Sequence, residues 1–371
     1  MSITTPYATV QPILYEPSFE TPADDEAEVT QGLIDSLHKI AEKVDKDEHH
    51  AFRGVHAKSH GLLFAEVTIE NVLPADYAQG LFAQPGRYAA VIRLSTPPGD
   101  LLDDKVSTPR GFAIKVIGVP GARLPGSEAD VTQDFVMING PTFSAPTPGK
   151  FLKNLKMLAA TTDVAPGLKK ALSATLRGVE SLVEKTGHKS STLISMGGHP
   201  ETNILGETFY SAAALRFGDY MAKLSIVPVS SELKALTDQH VDLDEKPNGI
   251  RDAVIEHFKS HGGTWELRAQ LCTDLEAMPI EDATVQWDEA QSPYVTVARI
   301  VAQPQTGWSD ARAHVVDDSM SFSPWHGLAA HQPIGSIMRV RKAVYEASMK
   351  FRAAHNNLTI VEPRSLTGLP D

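Results

Sequence analysis

The sequence of 371 residues predicts an α+β fold in which helices flank an antiparallel β-sheet or barrel. Between residues 63 and 139, β-rich runs follow one another with only Pro, Gly and Asp turns between them. Such short connections disfavour parallel strands, which need a longer crossover, usually a helix. Amphipathic helix patterns stand near both ends of the chain. We find no internal repeat and no low-complexity linker, so one domain is the better interpretation.

The elements follow from hydrophobic periodicity. Apolar residues recur every three or four positions in the first helix pattern and in the last, whereas residues 63–70 alternate apolar and polar as a strand does. The predicted helices span 29–50, 150–160, 168–185 and 334–354. The predicted strands span 63–70, 88–95, 111–118, 134–139, 207–215, 221–229, 264–271 and 294–301.

The charge balance limits the partners that we expect. The chain has 34 Lys and Arg against 46 Asp and Glu, a formal charge of −12. Nucleic acids and anionic membranes reward a basic face, so neither is expected as the main partner. No stretch reaches the roughly 18 uninterrupted apolar residues of a membrane-spanning helix. Cys272 is the only cysteine, which excludes an intrachain disulfide and a zinc site built from cysteines.

Residues 1–28 differ in composition from the rest of the chain. They combine prolines with an acidic run, and they lack a basic start followed by an apolar block. We therefore expect no secretory signal and no transit peptide, and a reducing cytoplasm is the default location. The segment is interpreted as an extended N-terminal arm, either solvated or lying over a neighbour, and residues 29–371 as a single domain.

Several common catalytic signatures are missing from the sequence. It has no Gly-x-Gly-x-x-Gly opening a helix, no phosphate-binding loop ending in Gly-Lys-Ser/Thr, and no Gly-x-Ser-x-Gly elbow. Fourteen histidines suggest a metal site. His56 and His60 are four residues apart, but they precede a strand, where this spacing does not place them on one face. Taken singly, each histidine is expected to be structural.

Five short motifs carry more weight because of their order along the chain. They are Arg-Gly-Val-His-Ala-Lys at 53–58, Ile-Arg-Leu-Ser-Thr at 92–96, Pro-Arg-Gly-Phe-Ala-Ile-Lys at 109–115, Asp-Phe-Val-Met-Ile-Asn-Gly-Pro at 134–141 and Arg-Lys-Ala-Val-Tyr at 341–345. In this order they resemble the haem-binding framework of the catalase family. The resemblance extends over about residues 45 to 355, and it is dense between 50 and 145. It implies a catalase-like barrel with flanking helices and haem b buried between the barrel and the C-terminal helix.

The resemblance assigns Tyr345 as the axial ligand of the haem iron. If residues 334–354 are helical, Arg341 lies one turn before Tyr345 on the same face. A guanidinium beside the phenol oxygen favours the phenolate through opposite charge. An anionic oxygen ligand in turn favours ferric iron. The resemblance therefore predicts a tyrosinate-ligated ferric haem.

On the other side of the haem, the resemblance assigns three catalytic residues. His56 is the distal histidine, which would move a proton between the two oxygens of a bound peroxide. Ser95 matches the serine that hydrogen-bonds the imidazole and fixes its orientation. Asn139 matches the amide that orients the peroxide.

The remaining assignments concern haem binding. Three arginines match family arginines that pair with haem propionates, a contact that suits the planar guanidinium. Val55, which directly precedes the distal histidine, and Phe143 match residues of the haem pocket. The predicted propionate arginines are Arg53, Arg93 and Arg352.

These assignments predict a haem-dependent, peroxide-consuming oxidoreductase. It would be a catalase-related peroxidase, with dismutation of hydrogen peroxide as an additional activity, an electron donor that the sequence does not identify, and a homo-oligomeric assembly. A rival on the same scaffold is a lyase or isomerase of fatty-acid hydroperoxides. Val55 argues against its allene oxide synthase branch, which typically has threonine there. A haem-binding module without turnover and a histidine-based metal hydrolase are rival hypotheses of different classes.

Overall fold

The structure is a computed structural model, and it describes residues 11–97, 99–106, 108–160 and 199–371. Most of the predicted elements lie in these ranges. The helix predicted over residues 168–185 lies outside the described residues.

The described strands form one antiparallel sheet that closes into a barrel. The sheet order is β5-β4-β3-β2-β1-β9-β8-β7-β6, and an additional pairing of β5 with β7 closes a ring of eight strands. The ninth strand, β6, extends the edge of β7 as a hairpin. The strands are β1 (Lys58–Ile69), β2 (Arg87–Thr96), β3 (Gly111–Ile117), β4 (Thr132–Ile138), β5 (Phe209–Tyr210), β6 (Leu215–Phe217), β7 (Tyr220–Pro228), β8 (Gly263–Leu271) and β9 (Val295–Ala302). The predicted antiparallel barrel is confirmed.

Alternation along β1 shows why the sequence closes into a barrel. Leu63, Ala65 and Val67 belong to the main core inside the barrel, where Phe112 and Trp265 meet edge to face with ring centroids 5.9 Å apart. Leu62 and Phe64 point outward under a second apolar layer, whereas Glu66 is exposed. Because successive side chains of a strand point to opposite faces, β1 is buried on both faces up to Phe64 and mainly on its inner face beyond.

The helices lie outside the barrel. They are α1 (Glu26–Glu48), α2 (Pro148–Ala160), α3 (Ser231–Lys234), α4 (Gly249–Phe258), α5 (Asp310–Ala313) and α6 (Ser336–His355). The helices α1, α2 and α6 share an apolar cluster that contains Leu37, Leu155 and Val344. The predicted first and last helices are therefore confirmed, with ends shifted by one to three residues. The sequence analysis missed α4, which is too short for a clear periodic pattern.

The strand predicted over residues 207–215 was wrong. The chain forms only the two-residue β5, breaks, and resumes as β6. Ala212 at the break has a φ of 58°, in the left-handed region that interrupts a strand. The Ser211 hydroxyl takes part in the turn, because it donates to the Ala213 carbonyl and accepts from the Leu224 amide. The break lets β5 close the barrel against β4 while β6 pairs farther along β7.

The described part of the N-terminal segment lies against the body of the same chain. The Ile13 amide donates to the Cys272 carbonyl at 2.9 Å, and the Tyr15 amide donates to the Asp219 carbonyl at 2.8 Å. Helix α1 begins at Glu26, so the last three residues of the predicted arm are helical. The homo-oligomer and the cytoplasmic location stay predictions. Among the described residues, no helix is both long and apolar enough to cross a membrane.

Candidate functional site

His56 lies in the loop that leads into β1, and its environment is built by two neighbouring strands. Ser95 of β2 pairs directly with Gly111 of β3, and the Ser95 hydroxyl lies 3.1 Å from Nδ1 of His56. A Cβ atom at Gly111 would come within 2.6 Å of the imidazole, so only glycine leaves room for the ring. His56 itself has a φ of 54°, a strained conformation of the kind that clusters at functional sites.

The electrostatics of His56 favour the neutral ring. Burial lowers the pKa of His56 to about 3, and the positive charges of Arg93 and Arg341 contribute to the shift. At neutral pH the ring therefore carries one proton and has one nitrogen able to accept another. The influence of Arg341 is informative because this residue belongs to α6, at the opposite end of the sequence.

Helix α6 carries the predicted iron ligand, Tyr345, and the predicted neighbour of its phenol oxygen, Arg341. Nη2 of Arg341 donates to Oη of Tyr345 at 2.6 Å, and the guanidinium lies 5.0 Å from the centre of the tyrosine ring. Helical spacing of four residues accounts for this contact. The Gly54 amide donates to Oγ of Ser348 on the same helix at 3.1 Å. The structure thus brings α6, the helix of the predicted iron ligand, next to the segment that carries His56.

The two predicted pocket residues lie near α6. Val55 packs on the apolar cluster that α1, α2 and α6 share. Phe143 packs on the apolar cluster that contains Ala283 and, at the start of α6, Ile337 and Met338, and its ring lies 5.1 Å from that of Phe151. Phe143 therefore belongs to the same cluster as the turn of α6 that precedes Arg341.

The three arginines predicted to bind propionates converge on one short segment. We call Arg53, Arg93 and Arg352 the arginine cluster. Arg53 and Arg352 donate to backbone carbonyls of residues 316–320, where α5 continues into a π-helical turn. Nε of Arg93 donates to the Asp317 carboxylate at 2.6 Å. The sequence alone does not indicate that Arg93 meets Asp317, since the two residues are 224 positions apart.

Asp317 is the residue of this cluster that the sequence analysis missed. Its carboxylate accepts from Arg93, from Arg53 at 3.2 Å and from Ser59 at 2.5 Å. Burial raises the pKa of Asp317, but Arg93 and Arg53 outweigh it and lower the pKa. The only sequence signal is the acidic pair of Asp317 and Asp318 between two apolar runs, which is too common to indicate a site.

The arginine cluster holds more positive than negative charge. Burial lowers the pKa of Arg53 well below its usual value, and the charges of Arg93 and Arg352 lower it further. Burial also lowers the pKa of Arg352 to about 10. Nε of Arg352 is buried without a hydrogen-bond partner among the described residues. Arg53 and Arg93 bond the Asp317 carboxylate, whereas Arg352 donates to backbone carbonyls and leaves Nε unused. The cluster therefore suits additional anionic groups such as the two propionates of haem.

Asn139 follows β4 and is held by three partners. Its Oδ1 accepts from the Arg110 amide at 2.8 Å. Its Nδ2 donates to the Glu207 carboxylate at 2.9 Å and also contacts Nε2 of His199. Among the described residues, these partners leave the second lone pair of Oδ1 able to accept a hydrogen bond from a substrate. Sequence analysis missed His199 and Glu207 because a lone histidine and an acid in a predicted strand carry no signal.

The donor set fits a haem group. Tyr345 offers a phenol oxygen to iron, the arginine cluster offers guanidinium groups to propionates, and His56 offers a neutral imidazole on the other side. Among the described residues, no group of three or more His, Cys, Asp or Glu side chains could hold a metal ion. A porphyrin would need only one axial ligand from the chain.

Comparison with solved structures identifies the fold as catalase-like. A fungal catalase superposes with a TM-score of 0.59 at 19% identity, covering 99% of this chain and 72% of that chain. Catalase A from Saccharomyces cerevisiae gives 0.56 at 18% identity, covering 95% and 68%. A bacterial catalase gives 0.58 at 16% identity, covering 88% and 63%. No family model and no curated protein matches the sequence. At these identities the likeness establishes the fold alone.

Proposed function

On the premise of a catalase-like fold, we propose that this protein is a haem-dependent oxidoreductase that consumes peroxides, a catalase-related peroxidase. One observation carries the proposal. The Gly54 amide, two residues before His56, donates to Ser348 at 3.1 Å, three residues after Tyr345 on α6, so the candidate ligand and the candidate acid/base catalyst belong to one site. A structural role for either residue would not require this proximity.

In this proposal the chain holds haem b at its iron and at its propionates. Tyr345 binds the iron, and the Arg341 guanidinium at 2.6 Å stabilises negative charge on the phenol oxygen. The arginine cluster pairs with the propionates, and Val55 and Phe143 contribute apolar surface to the pocket. Bound haem would supply the redox chemistry that cleaves the O–O bond of the peroxide.

His56 moves the proton. Because its pKa is lowered to about 3, the ring starts neutral and accepts a proton from the peroxide on the nitrogen that Ser95 does not contact. It then returns this proton to the departing oxygen. Ser95 and Gly111 keep the ring in one orientation during both transfers. Asn139 orients the peroxide. One lone pair of its Oδ1 accepts from the Arg110 amide, and the other accepts a hydrogen bond from the peroxide O–H.

The ligand assignment is tested by the absorption spectrum of the haem-loaded protein. We expect Tyr345→Phe to lose haem or to shift the Soret band, because phenylalanine has no oxygen for the iron. Tyr220→Phe is the matched control, since the Tyr220 hydroxyl donates to Asp76 at the barrel surface at 3.0 Å. An unchanged spectrum and haem content in Tyr345→Phe would show that another group binds the iron.

The assignment of His56 is tested by peroxide consumption. We expect His56→Ala to keep its haem and to react with hydrogen peroxide about a hundredfold more slowly or worse, since general acid–base catalysis contributes roughly 10²- to 10⁴-fold. Two assays measured side by side identify the reductant. Oxygen release indicates that a second molecule of hydrogen peroxide is the reductant, and oxidation of an organic dye indicates an organic donor. Full activity in His56→Ala would overturn its assigned role.

A further inference from the structure

Asn139 is held by two side chains that none of the family motifs includes. Glu207 lies between a short 3₁₀ turn (Ile204–Gly206) and β5. Barrel closure places it, because Tyr210 of β5 pairs with Ile138 of β4, the residue directly before Asn139. The contact between Glu207 and Asn139 therefore depends on the same pairing that completes the barrel.

The chemistry of the partners fixes which way the Asn139 amide points. A carboxylate only accepts hydrogen bonds, so Nδ2 must face Glu207, at 2.9 Å. A backbone amide only donates, so Oδ1 must face Arg110, at 2.8 Å. A flipped amide would set donor against donor on one side and acceptor against acceptor on the other. Glu207 and the Arg110 backbone thus hold the amide in one orientation.

His199 strengthens this arrangement. Its Nδ1 lies 2.6 Å from the Pro200 carbonyl, which only accepts, so this nitrogen carries the proton. Its Nε2 contacts the Asn139 amide nitrogen and lies 3.6 Å from the Glu207 carboxylate. The Glu207 carboxylate is itself held by the Thr202 hydroxyl at 2.6 Å.

Burial and charge keep Glu207 in its accepting form. The Glu207 side chain is only 15% exposed. Burial raises the pKa of Glu207, but His199, Arg110 and the hydrogen bond from Asn139 outweigh it and lower the pKa to about 2. The carboxylate therefore remains an acceptor over the whole range in which a peroxidase works.

We propose that Glu207, with His199, is the positioning residue for Asn139 in peroxide turnover. The Glu207 carboxylate holds Nδ2 and the Arg110 amide holds one lone pair of Oδ1, so that the other lone pair of this oxygen faces the substrate. This inference rests on the proposed function, because Glu207 acts on the reaction only through Asn139.

The first test is kinetic and uses the haem-loaded full chain. We expect Glu207→Ala to lower kcat/KM for hydrogen peroxide by about tenfold to a hundredfold with unchanged haem content, the usual cost of misplacing a reacting group. Glu207→Gln keeps an acceptor oxygen and should retain most of the activity. The control is Glu201→Ala, six residues earlier, where the carboxylate pairs with the exposed His240 at 3.2 Å.

A double-mutant cycle separates positioning from a general structural effect. If Glu207 acts through Asn139, adding Glu207→Ala to Asn139→Ala should cause no further loss. Additive losses would overturn the proposal, and so would wild-type kinetics in Glu207→Ala.

A second readout does not depend on turnover. The side-chain amide of Asn139 gives a pair of NMR signals in the ¹⁵N-asparagine-labelled chain without haem, and Asn139→Ala identifies them by their disappearance. We expect Glu207→Ala to shift this pair and Glu201→Ala to leave it in place. A shifted pair in a protein that consumes no peroxide would uphold the positioning of Asn139 and refute the proposed function. Peroxide turnover with an unshifted pair would refute the positioning.

Discussion

Two of the buried ionic clusters on the described part of the barrel differ in their balance of charge. In the arginine cluster, Arg53 and Arg93 bond the carboxylate of Asp317, and Arg352 donates to the Asp317 backbone carbonyl. The second, which we call the lysine cluster, centres on Lys115 of β3. Its ammonium group lies 2.7 Å from Asp134 and 2.6 Å from Glu362. His326 completes the lysine cluster and also bonds Asp130, at 2.8 Å.

The pKa shifts run in opposite directions in the two clusters. Burial lowers the pKa of Lys115, but Asp134 and Glu362 outweigh it and raise the pKa. Burial likewise lowers the pKa of His326, and Asp134 outweighs it and raises the pKa. In the arginine cluster, burial and like charges together lower the pKa of Arg53. The cations of the lysine cluster are matched by carboxylates, whereas the arginine cluster has more guanidinium groups than carboxylates.

This difference indicates different roles. The lysine cluster ties the C-terminal tail, through Glu362, to β3 and β4, and it is complete within the chain. A complete buried cluster contributes to the structure, and the loss of one partner leaves the others uncompensated. The arginine cluster keeps capacity for anions from outside the chain. Variants in the two clusters should therefore affect different properties.

The largest effect is expected from Lys115→Met. This change leaves the Asp134 and Glu362 carboxylates buried without their cation, which costs about 3–5 kcal/mol of unfolding free energy. Urea unfolding of the protein without haem measures it as a lower midpoint. Lys246→Met is the control, because Lys246 pairs with Asp242 on the surface and should change stability by less than about 0.5 kcal/mol. Equal losses in both variants would remove the distinction between buried and exposed pairs.

A smaller and different effect is expected from Arg93→Met. The haem affinity should fall about tenfold to a hundredfold, because a charge-assisted hydrogen bond contributes roughly 1.5–3 kcal/mol. Stability without haem should fall less than in Lys115→Met, since Arg53 still pairs with Asp317 and one like charge is gone. Haem titration and urea unfolding measure the two quantities. Arg87→Met, at an exposed pair with Glu66, is the control. If Arg93→Met lost stability but bound haem normally, the arginine cluster would be structural.

The smallest effect concerns pH and the lysine cluster. The pKa of His326 is raised above its unfolded value near 6.5, so its stabilising contribution is present below that pH and is lost as the pH rises through the raised pKa. We expect the wild-type urea midpoint to fall over this pH range relative to that of His326→Gln. His240→Gln, at an exposed histidine, should follow the wild type. Parallel pH profiles for wild type and His326→Gln would contradict the assignment.

Sequence reasoning succeeded where the contact is local. The spacing of Arg341 and Tyr345 within one amphipathic helix predicted their proximity, and the two side chains meet at 2.6 Å. Alternation predicted β1 in the same way, because side-chain direction in a strand has a period of two. Sequence reasoning failed at residues 207–215, where the chain leaves one strand and enters the next through a left-handed Ala212. No local pattern marks that break.

The sequence by itself determined most of the elements, the antiparallel class and the order of the motifs, because periodicity and short turns are properties of neighbouring residues. Only the tertiary structure decided which side chains meet across the barrel. Asp317 reaches Arg93 over 224 positions, and Glu207 reaches Asn139 over 68. The physical reason is that strand closure and helix packing set these contacts, and the electrostatic state of His56 and Glu207 follows from the burial and the charges that packing brings together.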